Sequence, residues 1–257
     1  MVSRAMGKYL GDIVWPTILL IAIVVPVFIT YEPYIMTNTH YDIASSITQT
    51  LSNAVKNPVN ALSTYLLGDL APYLYVVLAV LLIINRRRIH ELRNELGLSW
   101  KPLFGVLTIP IIIALALIWF LISGLIPLAI IIPQLPLTNI LLLTYTLYPI
   151  AISEEFIFRG FILSRLLPRS DATGIITALP AVMIDATYFT IAHVPVYLAV
   201  YGMNNLSPLI YTLGYIFIYG VISGIVFVLT RNVIPDVIIH WINDYLSIIT
   251  TIIYLMH

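Results

Sequence analysis

The chain has 257 residues, 60% of them hydrophobic and only 9% charged, with a mean hydropathy of +1.00. A soluble domain carries roughly 25% charged and about 45–50% apolar residues, and no soluble fold of this length hides so much apolar surface from water, so an aqueous enzyme, a nucleic-acid binder and a disordered chain are excluded. Twelve basic residues balance twelve acidic ones and cysteine is absent, which removes a polyanionic partner, disulfides, thiolate metal sites and thiol nucleophiles together.

The composition is that of an all-α, polytopic membrane protein, in which about 20 apolar residues cross about 30 Å of hydrocarbon as a helix. In chain order, residues 13–31 form the first span. Arg4 and Lys8 precede it and no small-residue cleavage site follows, so it reads as a retained signal anchor. A polar stretch, 32–69, contains Lys56, Asn57 and Pro58, and its middle is read as an interfacial amphipathic helix. Residues 70–85 make a short second span, followed by the charged segment Arg86-Arg87-Arg88-Ile89-His90-Glu91, which runs on to Lys101. From 102 to 153 there is no charge, which is room for two crossings, with Pro127, Pro133 and Pro136 breaking them near 125–138. The fourth span then runs from about 139 to 165, the fifth within 174–193, the sixth over 208–230 and the last over 235–256. That makes seven spans, and an eighth only if 194–207 is re-entrant. Without repeats or low-complexity segments, residues 1–257 are read as one transmembrane domain. Residues 1–100 supply the N-terminal spans and a basic loop.

Orientation follows from the basic residues. With the N-terminus inside, the cytoplasmic face receives Arg4, Lys8, Arg86, Arg87, Arg88, Arg93, Lys101, Arg165, Arg169 and Arg231, the other face Lys56 alone. That is a strong positive-inside bias. It is shared by transporters and channels, so it names no function.

Function is sought among ionisable residues at hydrocarbon depth, where each costs about 2.5–3.5 kcal/mol. They are Glu154, Glu155, Arg159, Asp185, His193, His240 and Asp244. Glu155 and Arg159, four apart on a helix, share a face and suit an ion pair. Glu154 lies about 100° round that helix and is left as the carboxylate available for general-base work. His240 and Asp244 are again four apart and project from one face. Glu154 lies eleven residues before Arg165, and His240 nine after Arg231. At about 1.5 Å per residue these are depths of about 16 and 13 Å from one edge. His193 fits that level only if its span starts late, near Pro180. Plainer readings also fit: a packing ion pair, an interfacial histidine, and a neutral His240–Asp244 hydrogen bond between helices. Asp185 has no evident partner, and Tyr145, Tyr148, Tyr188 and Tyr201 suit an aromatic belt or core.

Three patterns on separate spans resemble one family. Glu154-Glu155-Phe156-Ile157-Phe158-Arg159-Gly160 resembles the Glu-Glu-x-x-x-Arg motif of the CPBP family, the type II CAAX prenyl endopeptidases and their bacterial relatives. Phe189-Thr190-Ile191-Ala192-His193 resembles its Phe-x-x-x-His motif, and His240-Trp241-Ile242-Asn243-Asp244 its His-x-x-x-Asn/Asp motif. The resemblance covers roughly 140–250. It implies a multi-helix intramembrane glutamate protease with a polar cavity, cleaving after a prenylated cysteine near a protein C-terminus. By that resemblance Glu154 activates the water with help from His193, while His240 and Asp244 polarise the scissile carbonyl and stabilise the oxyanion. Glu155 and Arg159 hold the helix, with Phe189 and Asn243 in support. The best-known prenyl proteases carry Asn at the position of Asp244. An ionised carboxylate repels an oxyanion, so this role needs Asp244 protonated.

The expected partners are therefore membrane lipids and a prenylated or otherwise membrane-associated peptide, with no nucleic acid, cofactor or metal. Rival readings are a non-proteolytic immunity or scaffold relative and a proton-coupled transporter using Glu154, Asp185 and His193. The transporter lacks inverted repeats in its support. A zinc site at Glu154, His193, His240 and Asp244 lacks a His-Glu-x-x-His helix. Gln49 and Gln134 are the only glutamines in an Ile- and Tyr-rich chain, which leans towards a thermophilic prokaryote and its cell membrane.

Overall fold

The structure, a computed structural model, describes residues 2–37, 39–42, 45–46, 49, 56–57, 60, 110, 113–114, 117–118, 151–167 and 174–256, leaving out the side chains of 2–12 and 248–256. The described elements are all helical. They are α1 (Val2–Thr37), a composite motif helix over 151–166, α2 (Ile175–Tyr201), α3 (Leu206–Thr230) and α4 (Ile234–Met256). Among the described residues, three stretches are long and apolar enough to cross a membrane: Ile13–Thr37, Ile175–Tyr201 and Leu206–Thr230. The chain is an integral membrane protein. The expected span at 70–85, most of that at 102–125, and most of the 32–69 stretch lie outside the described residues.

Two compact units divide the chain, one of Met1–Tyr41 with Phe158–Leu229, the other of Asp42–Ile157 with Thr230–His257. In the first unit α1 runs beyond the expected residue 31 to Thr37 despite Pro16, Pro26 and Pro33. In hydrocarbon a helix is the only way to satisfy the backbone, so proline is tolerated there where water would break it. The threonine hydroxyls of α1 are likewise satisfied within the helix: Thr17 donates to the Ile13 carbonyl (2.9 Å) and Thr30 to that of Pro26 (3.0 Å).

Helix α1 packs along α2. The hydroxyls of Thr17 and Tyr188 are 2.7 Å apart. Just past the end of α1, the Tyr41 N–H donates to the Ala199 carbonyl (2.9 Å) and His40 Nδ1 donates to that of Val200 (3.0 Å). Both contact points advance in the same chain direction, so the two helices are parallel. At that end Tyr41 meets Tyr31 and Tyr34 edge-on, with ring centroids 5.1 and 5.2 Å apart. The sequence ends the fifth span at 193; the structure carries α2 on to Tyr201. Gly202 stops it with φ 74, its N–H donating to the Leu198 carbonyl. The stretch from 194 to 201 is therefore helix rather than a re-entrant loop. Nor does α2 start late: Gly174 is its N-cap and Pro180 lies inside it.

Helix α3 returns against α2 through small residues. A Cβ on Gly220 would stand 3.0 Å from the Ala186 Cα, and one on Gly224 2.8 Å from Val182 Cγ1. Two glycines four apart are thus what lets these backbones approach. In the second unit a tight turn leads into α4. Arg231 takes φ 50, the Asn232 N–H donates to Thr230 Oγ1 (3.2 Å), and the Ile234 N–H donates to Asn232 Oδ1 (2.8 Å). Asn232 thereby satisfies one of the bare donors at the start of α4.

Candidate active site

The motif helix is not one regular α-helix. An α-turn, Ser153–Glu155, opens into a π-helical stretch, Phe156–Leu163, and closes with a second α-turn, Ser164–Leu166. Helices of this wide type are rare and are frequently found at functional sites. The turn carrying the glutamates belongs to the same unit as α4 and packs against it.

There the two glutamates and His240 come together. Glu155 Oε1 lies 2.7 Å from His240 Nδ1, its side chain fully buried. On the other side of the ring Nε2 stands 3.4 Å from Asp244 Oδ2 and 4.0 Å from Glu154 Oε2. Asp244 and Glu154 are the accessible members, with side chains 22% and 28% exposed against 5% for His240. Asn243 Nδ2 donates to Asp244 Oδ1 at 3.2 Å. A ring whose Nδ1–H is taken by a buried carboxylate is fixed in orientation and tautomer. Its Nε2 then faces two carboxyl oxygens that can only accept while ionised, so a proton must be held among Nε2, Asp244 and Glu154. The arrangement provides a base, a proton carrier and, in a protonated Asp244, a donor around one partly open point.

Glu155, expected to pair with Arg159, holds His240 at 2.7 Å. Arg159 has its own buried partner in the first unit. Its Nε lies 3.7 Å from Asp185 Oδ2, both side chains fully inaccessible. That supplies the partner the sequence does not reveal for Asp185. The Arg159 guanidinium also sits over the Phe189 ring, 4.4 Å from its centroid, and 5.8 Å from that of Tyr219. Phe189 packs on His193 at 4.6 Å, and His193 Nδ1 donates to the Phe189 carbonyl at 2.8 Å. Glu154, Glu155, His240, Asn243 and Asp244 therefore form one constellation, while Arg159, Phe189 and His193 belong to another in the other unit.

Asp236 escaped the sequence reading. It is fully buried in the first turn of α4, four residues before His240. The same spacing that singled out Asp244 points to it, but its place at the span's edge hid its depth. Among the described residues no three His, Asp or Glu side chains are grouped to hold a metal ion.

The three motifs thus sit on helices that carry polar and charged groups, several of them fully buried, among apolar core residues. A model of the family described as Type II CAAX prenyl endopeptidase Rce1-like matches residues 133–246. Over these residues the chain is similar to the Rce1-like family. The Rce1-like segment contains all three motifs and ends two residues beyond Asp244. No curated protein and no solved structure matches the chain. The match supports a CAAX-type intramembrane protease kind of function and membrane-associated peptides as substrates.

Proposed function

We propose that the protein is a glutamate-type intramembrane endopeptidase that hydrolyses a peptide bond near the C-terminus of a prenylated or otherwise membrane-associated chain. The observation that carries this reading is the His240 ring, held at Nδ1 by buried Glu155 (2.7 Å) with Nε2 facing Glu154 and Asp244.

In this reading Glu154 removes a proton from water as the water oxygen bonds to the scissile carbonyl carbon. The negative charge that forms on the carbonyl oxygen is met by a proton on His240 Nε2 and by the carboxyl proton of Asp244. Collapse breaks the carbon–nitrogen bond, and the proton held by Glu154 passes to the departing amine. Preorganised donors of this kind act on charge that exists only in the transition state. His193 takes its assisting role on the family resemblance alone, and the N-terminus is placed in the cytoplasm on the basic residues.

Purified protein and a fluorogenic farnesyl-CAAX peptide test the proposal. Wild type is expected to cleave, and Glu154→Gln to fold normally while losing activity. Equal cleavage by both would remove Glu154 from the chemistry, and none by either would remove the prenylated substrate.

A non-proteolytic role has one observation in its favour. Three carboxylates surround one imidazole where an oxyanion needs donors, so if Asp244 stays ionised the cluster is only a polar brace between helices. A folded wild type that cleaves neither farnesylated nor unprenylated membrane peptides would select that reading.

A further inference from the structure

We infer that Asp185 is the positioning residue for His193, acting through the Arg159 guanidinium and the Phe189 ring. Neither the motifs nor the family match gives Asp185 a role. Its side chain is fully buried 3.7 Å from an equally buried Arg159 Nε, and such a pair is kept in an apolar interior only where both charges are compensated. Pairing with Asp185 sets where the guanidinium lies. The guanidinium covers the Phe189 ring at 4.4 Å, and Phe189 is closed in by Phe158 at 5.0 Å and Tyr219 at 5.9 Å. The same ring touches the His193 ring at 4.6 Å, and the Phe189 backbone carbonyl takes the proton on His193 Nδ1 at 2.8 Å. Asp185, Phe189 and His193 are four residues apart in turn, so one face of α2 carries all three. The series continues through Tyr197 and Tyr201, with ring centroids 6.4 and 6.1 Å apart. The consequence is a His193 that presents Nε2 as its bare nitrogen in a fixed direction.

The simpler alternative is that Asp185 only glues helices together. Histidine labelled with ¹⁵N in the full-length protein separates the two, because it reads which ring nitrogen holds the proton; His193→Gln identifies the signals. The wild-type ring is expected to be protonated at Nδ1 and bare at Nε2. Asp185→Asn is expected to populate both tautomers. Resting on the proteolytic reading, kcat should also fall by about 10²-fold with KM unchanged, as for a displaced catalytic group. Phe189→Leu, which leaves the ion pair in place and removes the ring, should reproduce both effects, and decides the matter if Asp185→Asn does not fold. A wild-type ring protonated at Nε2 overturns the inference. So does an unchanged His193 signal in the folded variants, however far their melting temperatures move. Should wild type cleave no peptide, the proteolytic reading fails while the ring nitrogens still decide this one.

Discussion

At the scale of single residues, the neighbouring glutamates divide the work by exposure. Glu155 is fully buried against His240 Nδ1, whereas Glu154 keeps 28% of its side chain open. Breaking a buried pair on one side costs on the order of 3–5 kcal/mol. Glu155→Ala is therefore expected to lower the melting temperature in detergent and to abolish cleavage as well, since His240 loses its orientation. A variant that melts like wild type would show that Glu155 holds nothing. Asp244 poses a different question, because it can donate to an oxyanion only while protonated, whereas an amide donates at any pH. Asp244→Asn should retain or increase activity, while Asp244→Ala should lose about 10²–10³-fold in rate, the usual cost of one oxyanion donor. Cleavage rates of the three proteins check this. If Asp244→Asn is as inactive as Asp244→Ala, the carboxylate itself is needed. Spacing alone marked Glu154, His240 and Asp244, because a charge in an uncharged run is conspicuous and four-residue separation signals one face. It could not mark the partner of His240, which lies 85 residues away, or of Asp185, which sits on a different helix.

Within single helices, the π-helical turns from Phe156 to Leu163 were not legible, and there residues five apart rather than four are bonded through the backbone. No residue in Phe-Ile-Phe-Arg-Gly-Phe-Ile-Leu announces that change. The ends of α3 and α4 were legible within two residues, since both are predominantly apolar runs separated by the Arg231 turn. The end of α2 was not, because His193 and Pro195 look like termination signals and hydrocarbon overrides them. Where α2 meets α3 the contact is sharp enough to test. Gly224→Ala would drive a methyl to 2.8 Å from Val182 Cγ1, and overpacking of this kind costs about 1–3 kcal/mol. Val182→Ala should restore most of the lost melting temperature in the double variant. Gly220→Ala should resist rescue by Ala186→Gly, because its clash is with the Ala186 Cα at 3.0 Å as well as the Cβ. Additive losses in the first pair would show that the two side chains do not meet.

For the molecule as a whole, hydropathy and the asymmetry of basic residues made the membrane setting and helical class readable without any contact. Which helices are neighbours was not readable, since lipid-facing and helix-facing surfaces are equally apolar. The parallel run of α1 and α2 requires residues 39 and 204, each just past a helix end, to emerge on one side of the membrane. The cysteine-free sequence makes this directly testable. Thr39→Cys and Asn204→Cys, both at exposed positions, should react with an impermeant maleimide from the same side, and that side should be the non-cytoplasmic one. Labelling from opposite sides would exclude the parallel pairing. The same pairing also sets a schedule for synthesis. Thr17 and Tyr188 are 171 residues apart, so at about 5–20 residues per second the first helix waits roughly 9–34 s in the bilayer before the segment it packs on has been made. During that interval α1 stands in the bilayer without α2, and a chain halted before residue 175 would lack the helix it packs along.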